Sequence, residues 1–151
     1  MSGDPVAVTG LGAVSGYGWG AAAFWEGLAS GATAIGDFQR FDHSAYRTHV
    51  ASEVDGAFVL EHAAHAERTT VADRFALFAA GEALAASGLP DRLDELAAGL
   101  YFGSSTGGML EAEEFFAGFT AAGRKRIPIG SLAAQQPSGP GDAVARHFGV
   151  T

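Results

Sequence analysis

The chain of 151 residues contains no cysteine. This absence excludes disulfide bonds, thiolate metal sites and thiol catalysis within these residues. Basic side chains are also scarce: nine lysines and arginines stand against 17 acidic residues, giving a formal net charge of −8 at pH 7. Because nucleic-acid binding relies on many cationic groups to neutralise phosphates, we expect no nucleic-acid partner.

Long hydrophobic runs are missing as well. No segment approaches the roughly 20 uncharged apolar residues that cross a bilayer. The N-terminus lacks the basic stretch and apolar core of a secretory signal. We therefore expect no membrane association and a cytoplasmic location.

The composition is that of a folded domain. Apolar residues make up 48% of the chain and charged residues 17%, and 22 glycines favour close packing of helices on a sheet. At this length a chain buries about two-thirds of its unfolded surface. Residues 1–151 are therefore expected to form one domain or part of a larger one.

The hydrophobic pattern alternates between short strands and helices. Two buried strands and one partly exposed strand are predicted at Val6–Thr9, Leu100–Gly103 and Val50–Val54. Helices are predicted at Gly20–Ala29, Val71–Ala86, Met109–Phe119 and Asp142–Phe148, the last with Asp142 as its cap. Strands separated by helices indicate an α/β fold with helices packed on the faces of a sheet.

The first strand runs into a glycine motif, Gly10-x-Gly12-x-x-Ser15. Glycines after a strand permit close approach of a pyrophosphate in dinucleotide-binding domains. Here Ser15 replaces the third glycine, the helix begins late, and no acidic residue ends a second strand. A nucleotide-binding Rossmann-like domain is kept as an alternative.

A second small-residue segment, Gly103–Gly108, follows the strand at Leu100–Gly103. Small residues at the carboxyl end of a strand leave open space where α/β proteins bind ligands. The segment is therefore interpreted either as a ligand-binding loop or as a plain turn into the next helix.

Most charged side chains are expected to have structural or solvent-facing roles. Asp73 is expected to be structural, Glu82 to face solvent, and Glu111, Glu113 and Glu114 to lie on an exposed helix face. His62 and His65 are three residues apart, but no further ligand stands in register, so no metal site is expected.

The ordered series of motifs resembles the β-ketoacyl synthases of the thiolase fold. It comprises Val8-Thr9-Gly10-Leu11-Gly12, Phe41-Asp42 with Tyr46, Asp73-Arg74-Phe75, and Gly103–Gly108. The resemblance implies a thiolase-like α/β fold, a mixed sheet with packed helices, of which this chain is an incomplete N-terminal half. It also implies decarboxylative Claisen condensation of acyl thioesters with malonyl carrier protein, in fatty acid or polyketide biosynthesis.

The same resemblance implies where catalysis lies. In this family a cysteine and two histidines react, and all three would lie beyond Thr151. No catalytic residue is therefore assigned, no cofactor is expected, and the isolated chain is expected to be inactive and to associate through exposed sheet edges.

Two binding regions are implied by resemblance. The acyl pocket would include Thr106, Gly107, Gly108 and Met109, with Thr106 as a small, polar gate. The acidic acyl carrier protein would dock on a basic patch of Arg124, Lys125 and Arg126, joined by Arg68.

The expected partners are that carrier protein and the ketosynthase remainder or a partner subunit, with a dimer in the full-length protein. A noncatalytic partner resembling a chain-length factor is the other alternative.

Overall fold

The computed structural model describes residues 5–55, 69–89, 93–94, 96–121 and 136–150. Four helices lie in these ranges: α1 (Ala21–Ser30), α2 (Val71–Ser87), α3 (Met109–Ala121) and α4 (Gly139–Phe148). Two short hairpins pair β1 (Val14–Ser15) with β2 (Gly18–Trp19) and β3 (Gly36–Asp37) with β4 (Val50–Ala51). No helix within the described ranges has both the length and the apolarity to span a bilayer.

Helix α2 is the central element. A capping box closes its N-terminus: the Asp73 N–H donates to the Thr70 hydroxyl at 3.1 Å, and the Thr70 N–H donates to the Asp73 carboxylate at 2.9 Å. Gly88 ends the helix in the left-handed conformation, with φ of 71°. The predicted helix at Val71–Ala86 and the structural role of Asp73 are confirmed.

The core lies between α2 and α4. Leu77 of α2 packs with Val144 and Phe148 of α4, and all three side chains are buried. The Leu93 N–H donates to the Phe148 carbonyl at 2.6 Å, which ties the segment after α2 to the end of α4. Smaller or partly buried side chains complete the cluster: Ala76, Ala80, Leu84, Leu93 and Ala143.

Helix α4 begins earlier than predicted, and Asp142 is not its cap. The N-cap is Ser138, whose hydroxyl donates to the Asp142 carboxylate at 3.1 Å. Pro140 lies in the first turn, where its missing N–H removes no helical hydrogen bond. The proline therefore starts this helix, and Asp142 lies inside the first turn, where a negative charge is favourable.

The first hairpin packs on α2 through an indole ring. Trp19 makes edge contacts with Phe75 at 5.5 Å and Phe78 at 5.1 Å between ring centroids. Helix α1 follows directly and ends at Ser30, one residue beyond the prediction, with Gly31 as its C-cap. Tyr17 lies against Gly27 of α1 and donates from its hydroxyl to the Ala32 carbonyl at 2.7 Å, so the hairpin also holds α1.

The three strand predictions need correction. No ladder hydrogen bonds join Val6–Thr9 or Leu100–Gly103 to another strand in the described residues, and the third strand is limited to Val50–Ala51. The side chains of Val6 and Tyr101 are 98% and 99% exposed. A strand requires a neighbour for its backbone groups and side chains, and the described residues supply none at these two segments.

Candidate functional site

A cleft of about 710 Å³ separates α2 from the segment Gly103–Gly107. Its volume lies within the usual range for small-molecule sites. Helix α2 supplies mostly alanines to the wall, so the side chains leave room beside the helix axis. The lining residues on α2 are Ala72, Phe75, Ala76, Ala79 and Ala80.

The opposite wall is formed by the small residues that the sequence singles out. Thr106 and Gly107 line the cleft, whereas Gly108 and Met109 are not among its lining residues. Gly108 is buried, and Met109 is 51% exposed at the start of α3. The predicted acyl-pocket residues are therefore neighbours in space, but two of the four face the cleft.

The loop conformation has a local cause. Gly107 has φ of 52°, in the left-handed region that suits glycine, and its N–H donates to the Ser104 hydroxyl at 3.2 Å. The chain then enters α3, where the Ala112 N–H donates to the Gly108 carbonyl at 3.0 Å. These bonds place Thr106 at the tip of the turn, where it is exposed.

The remaining cleft wall is largely apolar. Leu100, Phe102 and Phe24 contribute large apolar side chains to the wall. Its polar side chains, such as Ser104 and Thr106, carry only small hydroxyl groups. Such a surface suits an apolar chain rather than a charged ligand. Among the described residues no group of three or more acidic, histidine or cysteine side chains is placed to bind a metal.

The glycines of the first motif face α2. A Cβ at Gly10 would overlap the Ala83 carbonyl, and one at Gly12 would overlap the Ala79 carbonyl. Ala79 and Ala83 are one helical turn apart, so the two glycines let the chain lie directly on α2. This packing accounts for the motif, and it leaves no space at these positions for the pyrophosphate of the dinucleotide alternative.

Glu82 joins two distant segments to α2, a role that the sequence analysis did not predict. Its carboxylate accepts from the Ala13 N–H at 3.0 Å and from the Ala21 N–H at 2.8 Å. The expectation that Glu82 faces solvent is wrong, because the N-terminus of α1 and the start of β1 both present unpaired N–H groups to it. Glu82 thereby fixes Ala13 in the cleft wall. An acid in the largely apolar second half of the helix was the available signal.

Glu111 is likewise misassigned by the sequence pattern. It is half-buried, and its carboxylate accepts from the Val71 N–H at 2.7 Å, across 40 residues of chain. Glu113 and Glu114 are exposed on the same helix, as expected. The difference arises from the position of α2, which the spacing of the three acids does not encode.

A second cleft of about 430 Å³ lies on the other side of Leu100 and Phe102. Its wall includes the start of α4, with Ser138 and Asp142.

The basic residues predicted to bind a carrier protein, Arg68 and Arg124–Arg126, lie outside the described residues. One exposed acid carries a shifted pKa: hydrogen bonds from the Ser44 N–H and hydroxyl lower the pKa of Asp42.

The family model for the N-terminal domain of β-ketoacyl synthases matches residues 3–147. The chain therefore belongs to the β-ketoacyl synthase family. It is 39% identical over 122 residues to the actinorhodin polyketide putative β-ketoacyl synthase 1 of Streptomyces coelicolor, covering 79% of this chain and 26% of that relative. Against the β subunit of the tetracenomycin ketoacyl synthase of Streptomyces glaucescens it is 36% identical over 110 residues, covering 69% and 26%.

A solved structure, the ishigamide ketosynthase/chain length factor, is similar in fold. The TM-score is 0.77 at 21% sequence identity, and the match covers 93% of this chain and 36% of that one. The predicted thiolase-like fold and the family resemblance are thus confirmed. The chain spans about a quarter of the length of the curated relatives described above.

Proposed function

We propose that this chain forms the N-terminal part of a β-ketoacyl synthase that condenses acyl thioesters with malonyl carrier protein. The reaction is a decarboxylative Claisen condensation in polyketide or fatty acid biosynthesis. Family membership supports the reaction class, and the name of the actinorhodin relative favours the polyketide branch.

The observation that carries the proposal is the cleft between α2 and Gly103–Gly107. Its apolar wall and its volume of about 710 Å³ suit the hydrocarbon part of an acyl thioester. Burial of that chain removes about 25 cal/mol from the free energy for each Å² of apolar surface covered. This binding energy would position the thioester for reaction with groups elsewhere in the synthase.

The chain's own contribution is therefore binding and orientation. Thr106 and Gly107 would contact the acyl chain directly, and Gly108 and Met109 would support the loop behind them. The resemblance assigns the nucleophilic cysteine and two histidines to positions beyond Thr151, so the chain alone is expected to be inactive.

Carrier-protein docking is the second part of the proposal. Arg124, Lys125 and Arg126 form the basic run of a chain that carries a net charge of −8, and Arg68 would join them. A local basic patch would steer an acidic carrier protein to this surface although the rest of the chain repels it. A dimer with a second ketosynthase subunit is proposed for the whole protein.

A segment exchange tests this function. The corresponding segment of the actinorhodin relative is replaced by this chain, and condensation of acyl and malonyl carrier thioesters is measured. We expect a chimaera that turns over, and loss of that turnover when Thr106 and Gly107 are both replaced by Trp. A folded chimaera that condenses nothing would contradict the proposal.

A noncatalytic partner subunit is the second candidate. It is favoured by the similarity to the tetracenomycin β subunit and by the fold of a ketosynthase/chain length factor. The same exchange in the tetracenomycin β subunit separates the two candidates. Product formed only by that second chimaera would assign the chain to a partner subunit, whereas turnover by the actinorhodin chimaera supports the synthase.

A further inference from the structure

Two helix N-termini meet at the side chain of Glu111. The residue belongs to the first turn of α3, and its carboxylate accepts from Val71, the first residue of α2, at 2.7 Å. The N-terminus of a helix carries unpaired N–H groups and a partial positive charge, so a carboxylate there is stabilised by both. Glu111 thus satisfies a donor that the capping box of α2 leaves open.

The bond joins the two walls of the cleft. Val71 is followed by Ala72, which lines the cleft on the α2 side, and Glu111 follows the loop that carries Thr106 and Gly107 on the other side. Gly108, between that loop and α3, is buried. This hydrogen bond therefore holds the end of the loop, at the start of α3, against the first turn of α2.

We infer that Glu111 is a positioning residue that sets the width of the cleft and thereby its selectivity for acyl-chain length. The inference rests on the proposed function, because it assumes that the cleft holds an acyl chain. Glu111 is not among the residues that line the cleft, so it would not contact the acyl chain itself. It acts through the loop, by holding the start of α3 against the first turn of α2.

Three substitutions distinguish the effect of the Glu111–Val71 hydrogen bond from a general effect on α3. Glu111→Ala removes the acceptor, whereas Glu111→Gln keeps an oxygen of the same reach. Glu113→Ala is the matched control, because Glu113 lies on the same helix and is exposed. If the carboxylate positions the loop, Glu111→Ala alone widens the cleft.

The contact itself is measured by amide hydrogen exchange in the 151-residue chain. We expect Glu111→Ala to speed exchange at the Val71 N–H, while Glu111→Gln and Glu113→Ala leave it slow. Exchange at the mid-helix amides of α2, from Ala76 to Leu84, reports whether each variant is folded. Unchanged protection of Val71 in folded Glu111→Ala would overturn the inference.

The role is measured in the actinorhodin chimaera as kcat/KM for acyl carrier thioesters of increasing length. One methylene in an apolar pocket is worth about tenfold or more in kcat/KM, and we expect Glu111→Ala to lose about tenfold of the discrimination between neighbouring lengths. Glu111→Gln and Glu113→Ala should retain the unsubstituted ratio. A purely structural role would lower all lengths equally.

The two proposals fail differently. An unsubstituted chimaera that is folded but inactive contradicts the proposed function. A chimaera that is active, and whose length profile is the same with Glu111→Ala, overturns the role of Glu111 and leaves the proposed function standing.

Discussion

At the residue scale, the structure depends on a few side chains that join α2 to distant parts of the chain by hydrogen bonds. Glu82 binds N–H groups of Ala13 and Ala21, which precede it by more than 60 residues. Hydrogen bonds to a charged acceptor contribute about 1.5–3 kcal/mol, more than neutral ones. Loss of the Glu82 carboxylate is therefore expected to destabilise the packing of both the first hairpin and α1 on α2.

Replacement of Glu82 tests this expectation. Glu82→Ala leaves two N–H groups without their acceptor and should lower the free energy of unfolding by about 1–3 kcal/mol, measured by urea denaturation. Glu82→Gln should cost less, because an amide oxygen still accepts. Glu26→Ala, an exposed acid of α1, is the control. Equal stability of the Glu82→Ala and Glu26→Ala proteins would show that these bonds contribute nothing.

Gly12 offers a second test at this scale. A methyl group there would overlap the Ala79 carbonyl, which is backbone and has little room to move. Gly12→Ala should lower the midpoint of thermal unfolding, with a cost of about 1–3 kcal/mol typical of overpacking. Gly118→Ala, where no atom lies within 4 Å of the added carbon, should be neutral or stabilising. If both variants melt alike, the close contact with α2 is wrong.

Thr106 carries the prediction on specificity. Its side chain lines the cleft and is exposed at the loop tip, so a larger residue would extend into the cleft. In the actinorhodin chimaera, Thr106→Phe should reduce kcat/KM for long acyl thioesters by about tenfold or more and spare acetyl thioesters. Thr106→Ala should accept all lengths. A uniform decrease across lengths in Thr106→Phe would argue against a gate.

At the element scale, α2 organises the described residues. It contacts α4 through the core, holds the first hairpin through Trp19, and supplies one wall of the cleft. Its bounds were predictable because the apolar spacing and Gly88 are local signals. The bonds to Glu82 and Glu111 were not predictable, because their partners lie 40 or more residues away in sequence.

The strands show the opposite relation between sequence and structure. Val6–Thr9 and Leu100–Gly103 have the composition of buried strands, yet composition does not supply the neighbour that a strand requires. The glycine motif was also only partly predictable. The sequence indicates a close contact at these glycines, but only the structure shows that the contact is with α2. The loop at Gly103–Gly107 was predictable as a candidate site from its small residues, but the facing direction of Gly108 and Met109 was not.

Packing of α2 on α4 is tested by removing its largest side chain. Phe148→Ala should lower the free energy of unfolding by about 3–5 kcal/mol, since the ring is buried against Leu77 and Val144. Trp25→Ala, whose ring is 70% exposed on α1, is the aromatic control and should stay within about 0.5 kcal/mol. Comparable losses in urea denaturation would contradict the position of the core.

At the scale of the whole molecule, the chain spans about a quarter of the length of these two curated relatives. Two clefts flank Leu100 and Phe102, and the proposed function assigns the acyl chain to the larger one. The two clefts differ in chemistry: the larger is lined by α2 and the glycine loop, and the smaller includes the Asp142 carboxylate. An apolar chain should therefore favour the larger cleft.

Photocrosslinking in the actinorhodin chimaera tests most directly whether the acyl chain binds in the larger cleft. An acyl carrier thioester with a diazirine at the end of its chain is bound and irradiated, and the modified peptides are identified by mass spectrometry. We expect modification at Gly103–Gly107 and at Ala72–Ala80 of α2. Modification confined to Pro137–Ala145, beside the smaller cleft, would contradict it.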